Sequence, residues 1–230
     1  MMNKNIVIIG ASRGIGKELV QLFAKDENNH VIALSRNFEA MSDFSKFKNV
    51  TYEAFDLSSK EISAELAQIL SEIESVDILV NNAGKLVNKP FLDLTKADIE
   101  SCYQTNAIGV MLATQVVVPK MTSKGGHIVN ISTMGAFQGS VKFPGLSAYS
   151  TSKAGVVSFT ELFAEEFKET KVKMNCLCLG AVQTEMLEEA FPGFRAPLSA
   201  NEMAQYIQDF ALNGHKYMNG KILPVSLTTP

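Results

Sequence analysis

The sequence predicts one doubly wound α/β domain over residues 1–230, with a seven-stranded parallel sheet and helices on both of its faces. Three observations carry that expectation. Seven short apolar runs alternate with stretches of helical period along the whole chain, which is the pattern of repeated βαβ units. A glycine-rich turn, Gly10-Ala11-Ser12-Arg13-Gly14-Ile15-Gly16, joins the first of those runs to the first helix. At 230 residues and 46% hydrophobic content, the chain suits one such domain and can bury its core. No internal repeat, low-complexity tract or Pro/Gly/Ser linker divides it.

Strands are expected at Ile6–Ile9, Val31–Leu34, Val50–Phe55, Ile78–Asn81, Ile128–Ile131, Val172–Leu179 and Ile222–Val225, because each run is short and apolar. Helices fill the gaps between them. Ile15, Leu19, Leu22 and Phe23 recur at helical spacing, as do Ile62, Leu66, Ile69, Leu70 and Ile73. Thr95-x-x-Asp98 has the form of a capping box opening a long helix, and Ser199-x-x-Glu202 opens a last one. Another helix is expected from Tyr149 to Phe167.

Composition narrows the function. A net charge of −3, with no Lys/Arg run, argues against nucleic acid as the main partner. The apolar N-terminal run Ile6–Ile9 is too short for a signal peptide or a membrane span, so a cytoplasmic location is expected. Cys102, Cys176 and Cys178 form an odd set without Cys-x-x-Cys, and they read as buried structural thiols rather than a metal site. A period of two puts Cys176 and Cys178 on one face of their strand. His30, His127 and His215 lie far apart in sequence and are expected to play ordinary surface roles.

The glycine turn is where chemistry enters. Gly10, Gly14 and Gly16 sit between a strand and a helix, where missing Cβ atoms let a phosphate approach the backbone. The helix start, with Ser12, Arg13 and Ile15 around it, offers free N–H groups and partial positive charge. The spacing G-x-x-x-G-x-G differs from the commoner G-x-G-x-x-G of dinucleotide sites. In doubly wound sheets ligands bind beyond the C-terminal strand ends, so residues at those ends are the next candidates. The second strand ends in Ser35-Arg36, where an acid would favour the ribose hydroxyls of NAD. A small Ser followed by a guanidinium suits a 2′-phosphate instead. Either Arg13 or Arg36 alone reads as a solvated charge; two at these places favour NADP(H), with NAD(H) the other possibility. Asp56-Leu57 ends the third strand, and the Asp suits either an adenine amino group or a helix cap. Asn82-Ala83-Gly84 ends the fourth, its small residues either leaving room for a flat cofactor or marking a plain turn.

Tyr149-Ser150-Thr151-Ser152-Lys153 sets a phenol and an ammonium one helical turn apart. At neutral pH only ~0.1% of an ordinary Tyr is phenolate, and a nearby ammonium is expected to lower its pKa. Such a Tyr can act as a general acid toward a carbonyl oxygen. The fifth strand ends in Asn130-Ile131-Ser132-Thr133, offering hydroxyls to hold that carbonyl.

Taken together, Gly10–Gly16, Asp56, Asn81–Gly84, Asn106, Ser132/Thr133, Tyr149/Lys153 and Gly180–Thr184 resemble the short-chain dehydrogenase/reductase family, in family order, from about Ile6 to about Val225. The resemblance implies a Rossmann-type seven-stranded sheet, NAD(P)-dependent carbonyl/alcohol interconversion, and assembly as a homodimer or homotetramer through the long helices. It implies Tyr149 as the acid/base and Lys153 as the residue that holds the nicotinamide ribose and tunes Tyr149. Asn106 would order a water in a proton relay, and Val182 and Thr184 would contact the nicotinamide carboxamide. Matched without a gap, Thr133 falls where the family has its catalytic Ser. The chain departs from the pattern in three places. Ile9 replaces the usual Thr before the glycine turn, Leu179-Gly180 replaces Pro-Gly, and the Pro224–Pro230 end lacks a Gly-rich tail.

Around the nicotinamide the resemblance would set Met134, Phe137, Phe143, Leu146, Met186, Leu187, Phe191 and Phe194, with Glu188–Leu198 as a mobile lid. The expected substrate is a small or medium, mainly apolar ketone or aldehyde. A 3-oxoacyl-carrier or pterin-type reductase on the same scaffold is the alternative. A nucleotide-sensing scaffold protein is the alternative without turnover, although it would have no use for the Asn106/Tyr149/Lys153 set.

Overall fold

A computed structural model describes residues 4–227. Seven strands form one sheet: β1 (Asn5–Ile9), β2 (His30–Ser35), β3 (Val50–Ala54), β4 (Ile78–Asn81), β5 (Gly126–Thr133), β6 (Val172–Leu179) and, last in the chain, β9 (Ile222–Val225). Their spatial order is β3-β2-β1-β4-β5-β6-β9, and every pairing is parallel. Between β6 and β9 a small separate ladder pairs β7 (Val182–Gln183) with β8 (Leu198–Ser199).

The inner strands β1, β2 and β4 are mainly apolar because both faces are covered, whereas the edge strand β3 is half-exposed and carries Thr51 and Glu53. Ile6, Ile8, Val31, Ala33, Val80 and Leu177 pack against Leu19, Phe23, Ile207 and Phe210 of α1 (Gly14–Ala24) and α7 (Ala200–Asn213). Val7, Ile9, Ile32, Leu34, Leu79 and Ile128 turn to the other face. There they meet Leu66 of α2 (Ile62–Ile69), Val110, Ala113 and Val117 of α4 (Gly109–Val117), and Phe163 of α5 (Ser147–Glu166). Period-two side chains therefore feed two cores at once.

Both expected capping boxes exist, Thr95 with Asp98 at the start of α3 (Lys96–Tyr103) and Ser199 with Glu202 at the start of α7. The long helix expected after Thr95 is not continuous. A π-helical stretch, Gln104–Ile108, separates α3 from α4. Such wide turns are tolerated where tertiary packing compensates, and this one carries buried Thr105 and Asn106. Helix α5 begins two residues before Tyr149, and β3 stops one residue short of Phe55.

Cys176 and Cys178 do share one face of β6 and pack with Met134. The surface role expected of His127 is wrong. Its ring is fully enclosed, hydrogen-bonded to the Ala211 carbonyl at 2.9 Å and to the Asn175 amide at 3.0 Å. Position 127 opens a central strand beneath α7, so a ring that donates and accepts fills a polar niche in the core. Burial drives its pKa down to about 4. The unfolded chain therefore binds a proton near pH 6.5 that the folded one refuses until about pH 4, and stability falls as pH drops through that window. Thermal melts at pH 7 and pH 4.5 should show this loss, and the change with pH should be smaller in His127→Gln.

Candidate active site

Strand order reverses between β1 and β4, and the main cleft opens there, beyond the C-terminal strand ends. It has a volume of about 610 Å³. Its walls bring together Gly10, Ser12, Arg13, Gly14 and Ile15 with Ser35, Arg36, Asp56 and Leu57, although 20 or more residues separate the two groups in sequence. Asn82, Ala83, Gly84, Ser132, Thr133, Tyr149, Lys153, Val182 and Thr184 line it too.

Two glycines of the turn are required by close backbone approach. Gly10 adopts φ +93°, and a Cβ there would lie 2.6 Å from the backbone of Ala83. A Cβ on Gly16 would lie 1.9 Å from the Gly10 carbonyl oxygen, so Gly16 is structural and sits behind the cleft wall. The Asn82 amide donates to that same carbonyl at 2.8 Å, tying β4 to the turn. Ser35 donates to Ser12 at 2.8 Å and so links the end of β2 to the turn. No side chain caps the N-terminus of α1, and no acid occupies its first turn. That end keeps its N–H groups and positive dipole for an anion, which fits the phosphates of a dinucleotide.

The two arginines differ in their surroundings. Arg36 is exposed and has no ion-pair partner among the described residues. Arg13 reaches both carboxylate oxygens of Glu189 in α6 (Glu185–Ala190). Asp56 accepts from the Ser58 N–H and hydroxyl, both at 2.8 Å, so its carboxylate braces the turn after β3.

On the other wall, Lys153 is buried in α5 and donates to the carbonyls of Ala83 at 3.2 Å and Ile131 at 2.8 Å. Burial lowers its pKa to about 8. The Tyr149 phenol is pushed up to about 12, chiefly by burial, with the Cys102 thiol adding to the rise and the Thr133 hydroxyl opposing it. This reverses the sequence expectation that Lys153 would depress the phenol. The Lys153 ammonium is engaged by backbone carbonyls, and in this state the cost of burying a phenolate dominates.

Thr133 and Ser132 face different partners, as alternation along a strand requires. The buried Ser132 hydroxyl donates to the Lys153 carbonyl at 3.1 Å. Thr133 is half-buried, lines the cleft with Tyr149 and accepts from the Gly135 N–H at 3.3 Å.

The Asn106 side chain is enclosed. It accepts from the Lys85 N–H at 2.7 Å and donates to the Lys85 carbonyl and the Ser152 hydroxyl, both at 2.9 Å. Its amide therefore clamps the segment after β4 to α5, which leaves it little capacity to order a water. Val182 is a core residue, and the Thr184 hydroxyl caps α6 by accepting from Leu187 N–H at 3.3 Å.

The apolar end of the cleft contains Met134, Phe143, Leu146, Met186, Leu187, Phe191 and Phe194 as expected. Phe137 instead packs behind it against the Met134/Cys176/Cys178 cluster. Sequence reading missed Leu86 and Val141, which also line this end. Leu86 follows the Asn81–Gly84 turn, and Val141 opens the longer stretch before Tyr149, so proximity to those motifs was the available signal. The segment expected to be a lid is helical in part, and the Asn88 amide anchors it through the Ala190 carbonyl at 2.9 Å.

Residues 4–193 match the family described as short chain dehydrogenase. The chain belongs to that family. It is therefore an NAD(P)-dependent oxidoreductase. Among its curated relatives, a 3-oxoacyl-[acyl-carrier-protein] reductase of Chlamydia trachomatis is 26% identical, over 98% of this chain and 96% of the relative. A ketoacyl reductase, HetN, of Nostoc is 32% identical over 81% of this chain and 66% of its own length. Among solved structures, one described as ElxO with NADP bound superposes with a TM-score of 0.85 at 26% identity, covering 97% of both chains. No helix among the described residues is long and apolar enough to cross a membrane.

Proposed function

We propose that the protein uses NADP(H) to reduce a ketone or aldehyde carbonyl to an alcohol, reversibly. The Tyr149 phenol and the Thr133 hydroxyl, which line the same cleft beside the buried Lys153, carry this reading. Bound NADPH would supply a hydride to the carbonyl carbon. Tyr149 gives its proton to the carbonyl oxygen, and a phenol with a pKa near 12 is fully protonated for that task at neutral pH. Thr133 donates a second hydrogen bond to the same oxygen and fixes its position. Lys153 holds the nicotinamide ribose, and its charge favours the phenolate once proton transfer begins. Asn106 acts as a positioning residue, clamping the backbone beside Lys153. The uncapped α1 N-terminus receives the pyrophosphate, with Val182 and Thr184 at the nicotinamide end.

The NADP(H) preference is supported by Arg13, the unpaired Arg36 and the absence of an acid at Ser35. A charge-assisted hydrogen bond contributes about 1.5–3 kcal/mol, or roughly 10- to 150-fold. Arg36→Ala should therefore weaken NADPH by a factor in that range and leave NADH nearly unchanged, as read by direct binding. Equal affinity of the wild type for both cofactors would refute the preference.

The printed names of the Chlamydia and Nostoc relatives favour a second reading, a 3-oxoacyl-carrier substrate. Its ketone would meet the same Tyr149 and Thr133. Comparing kcat/KM for an acetoacetyl-carrier thioester with that for free aliphatic ketones, by NADPH oxidation, separates the two. Exposed Tyr103, Ile108, Met111 and Leu162 on the long helices support assembly as a homodimer or homotetramer, in the cytoplasm.

A further inference from the structure

Arg13 precedes α1 at the rim of the phosphate end of the cleft, yet its guanidinium turns toward α6. There it forms a two-point pair with Glu189, the second contact being 3.1 Å. Glu185, on the same short helix, adds to the negative field around Arg13. Helix α6 is also close to the glycine turn at its other end, since a Cβ on Gly14 would lie 3.2 Å from Thr184 and 3.4 Å from the Glu185 carboxylate. The Asn88 amide holds the Ala190 carbonyl at the C-terminal end of α6. The helix is thus tied both to the glycine turn and to the segment that follows β4.

We infer that Glu189 is a specificity-determining residue of the cofactor groove. It holds Arg13 in the cofactor-free protein and yields it to the 2′-phosphate, so that NADP(H), and not NAD(H), unties α6 from the glycine turn. This rests on the NADP(H) reading above. Glu189 and a 2′-phosphate are anions competing for one guanidinium fork, and that fork makes one two-point pair at a time. NAD(H) carries a hydroxyl where the phosphate would be, which gives Arg13 no reason to leave Glu189. A ligand shifts a two-state element only through contacts that differ between the states, and this is such a contact. The side chains of Arg13 and Glu189 are 46% and 62% exposed, so the pair is screened and displaceable. Arg36, unpaired, receives the phosphate without competition and keeps the basal preference.

The test is calorimetric titration of NADP⁺, NAD⁺, adenosine 2′,5′-bisphosphate and 5′-AMP into wild type, Glu189→Gln, Arg13→Gln and the double variant. Removing a screened competitor should tighten the two 2′-phosphorylated ligands about 2- to 5-fold in Glu189→Gln. Its NAD⁺ and 5′-AMP affinities should stay at the wild-type value. The gain should vanish in the Arg13→Gln background. If Glu189→Gln shifts all four ligands equally, Glu189 merely holds the lid and the inference fails. If wild type prefers NADP⁺ and Glu189→Gln leaves the preference unchanged, the inference fails while the NADP(H) reading stands. If wild type shows no preference and Glu189→Gln acquires one, Glu189 withholds Arg13 from the 2′-phosphate and does not yield it, and both the inference and the wild-type preference are refuted. Equal binding of both dinucleotides by both proteins overturns the two together.

Discussion

Tyr149→Phe is expected to lower kcat by about 10²–10⁴-fold, the usual contribution of a positioned general acid, while NADP(H) binding stays close to wild type. The ring keeps its packing and only the hydroxyl is lost. The direction of reaction sets the pH dependence. Reduction consumes the protonated phenol, and with a pKa pushed up to about 12 in the cofactor-free protein the phenol stays protonated across the neutral range. Its protonation therefore imposes no fall in the reduction rate between about pH 6 and 9. Alcohol oxidation needs the phenolate, whose fraction rises tenfold per pH unit below the pKa, so that direction should accelerate with pH. Stopped-flow rates in both directions, for wild type and Tyr149→Phe, would check both statements. A Phe variant retaining most of its kcat with a confirmed substrate would show that the proton comes from elsewhere.

Thr133→Val should cost ~10²–10³ in kcat, the usual loss on deleting one preorganised donor, with little change in stability because the shape is kept. Ser132→Ala should spare kcat by comparison. Its hydroxyl donates to the Lys153 carbonyl inside the sheet–helix interface, a carbonyl whose place within α5 also gives it a helical N–H partner. The loss of that bond belongs to stability, about 0.5–1.5 kcal/mol, and would show in denaturant unfolding rather than in catalysis. A crippled Ser132→Ala beside an active Thr133→Val would reverse the assignment and mean that strand-end twist carries Ser132 to the substrate.

The order of elements and the approximate composition of the cleft were legible in the sequence because both depend on local rules. Alternating side chains on β1, β2 and β4 need two apolar faces, and that makes the runs Ile6–Ile9, Val31–Leu34 and Ile78–Asn81 readable as buried parallel strands. Capping boxes at Thr95 and Ser199 are satisfied within four residues, so no distant contact can overrule them. Strand alternation likewise separated Ser132 from Thr133. The partners of side chains long enough to choose among distant neighbours were not legible. Whether Arg13 faces Arg36 or Glu189 depends on where residues 185–190 fold relative to the glycine turn, 176 positions away in the case of Glu189. Lys153 lies one turn from Tyr149 in sequence, yet the carbonyls of Ala83 and Ile131, brought in by two other segments, engage its ammonium. His127 looked like any strand-edge residue until α7 folded over it. Desolvation explains the pKa values for the same reason. Spacing places the groups, but the low-dielectric surroundings that set Tyr149 near 12 and Lys153 near 8 exist only when sheet and helices close around them.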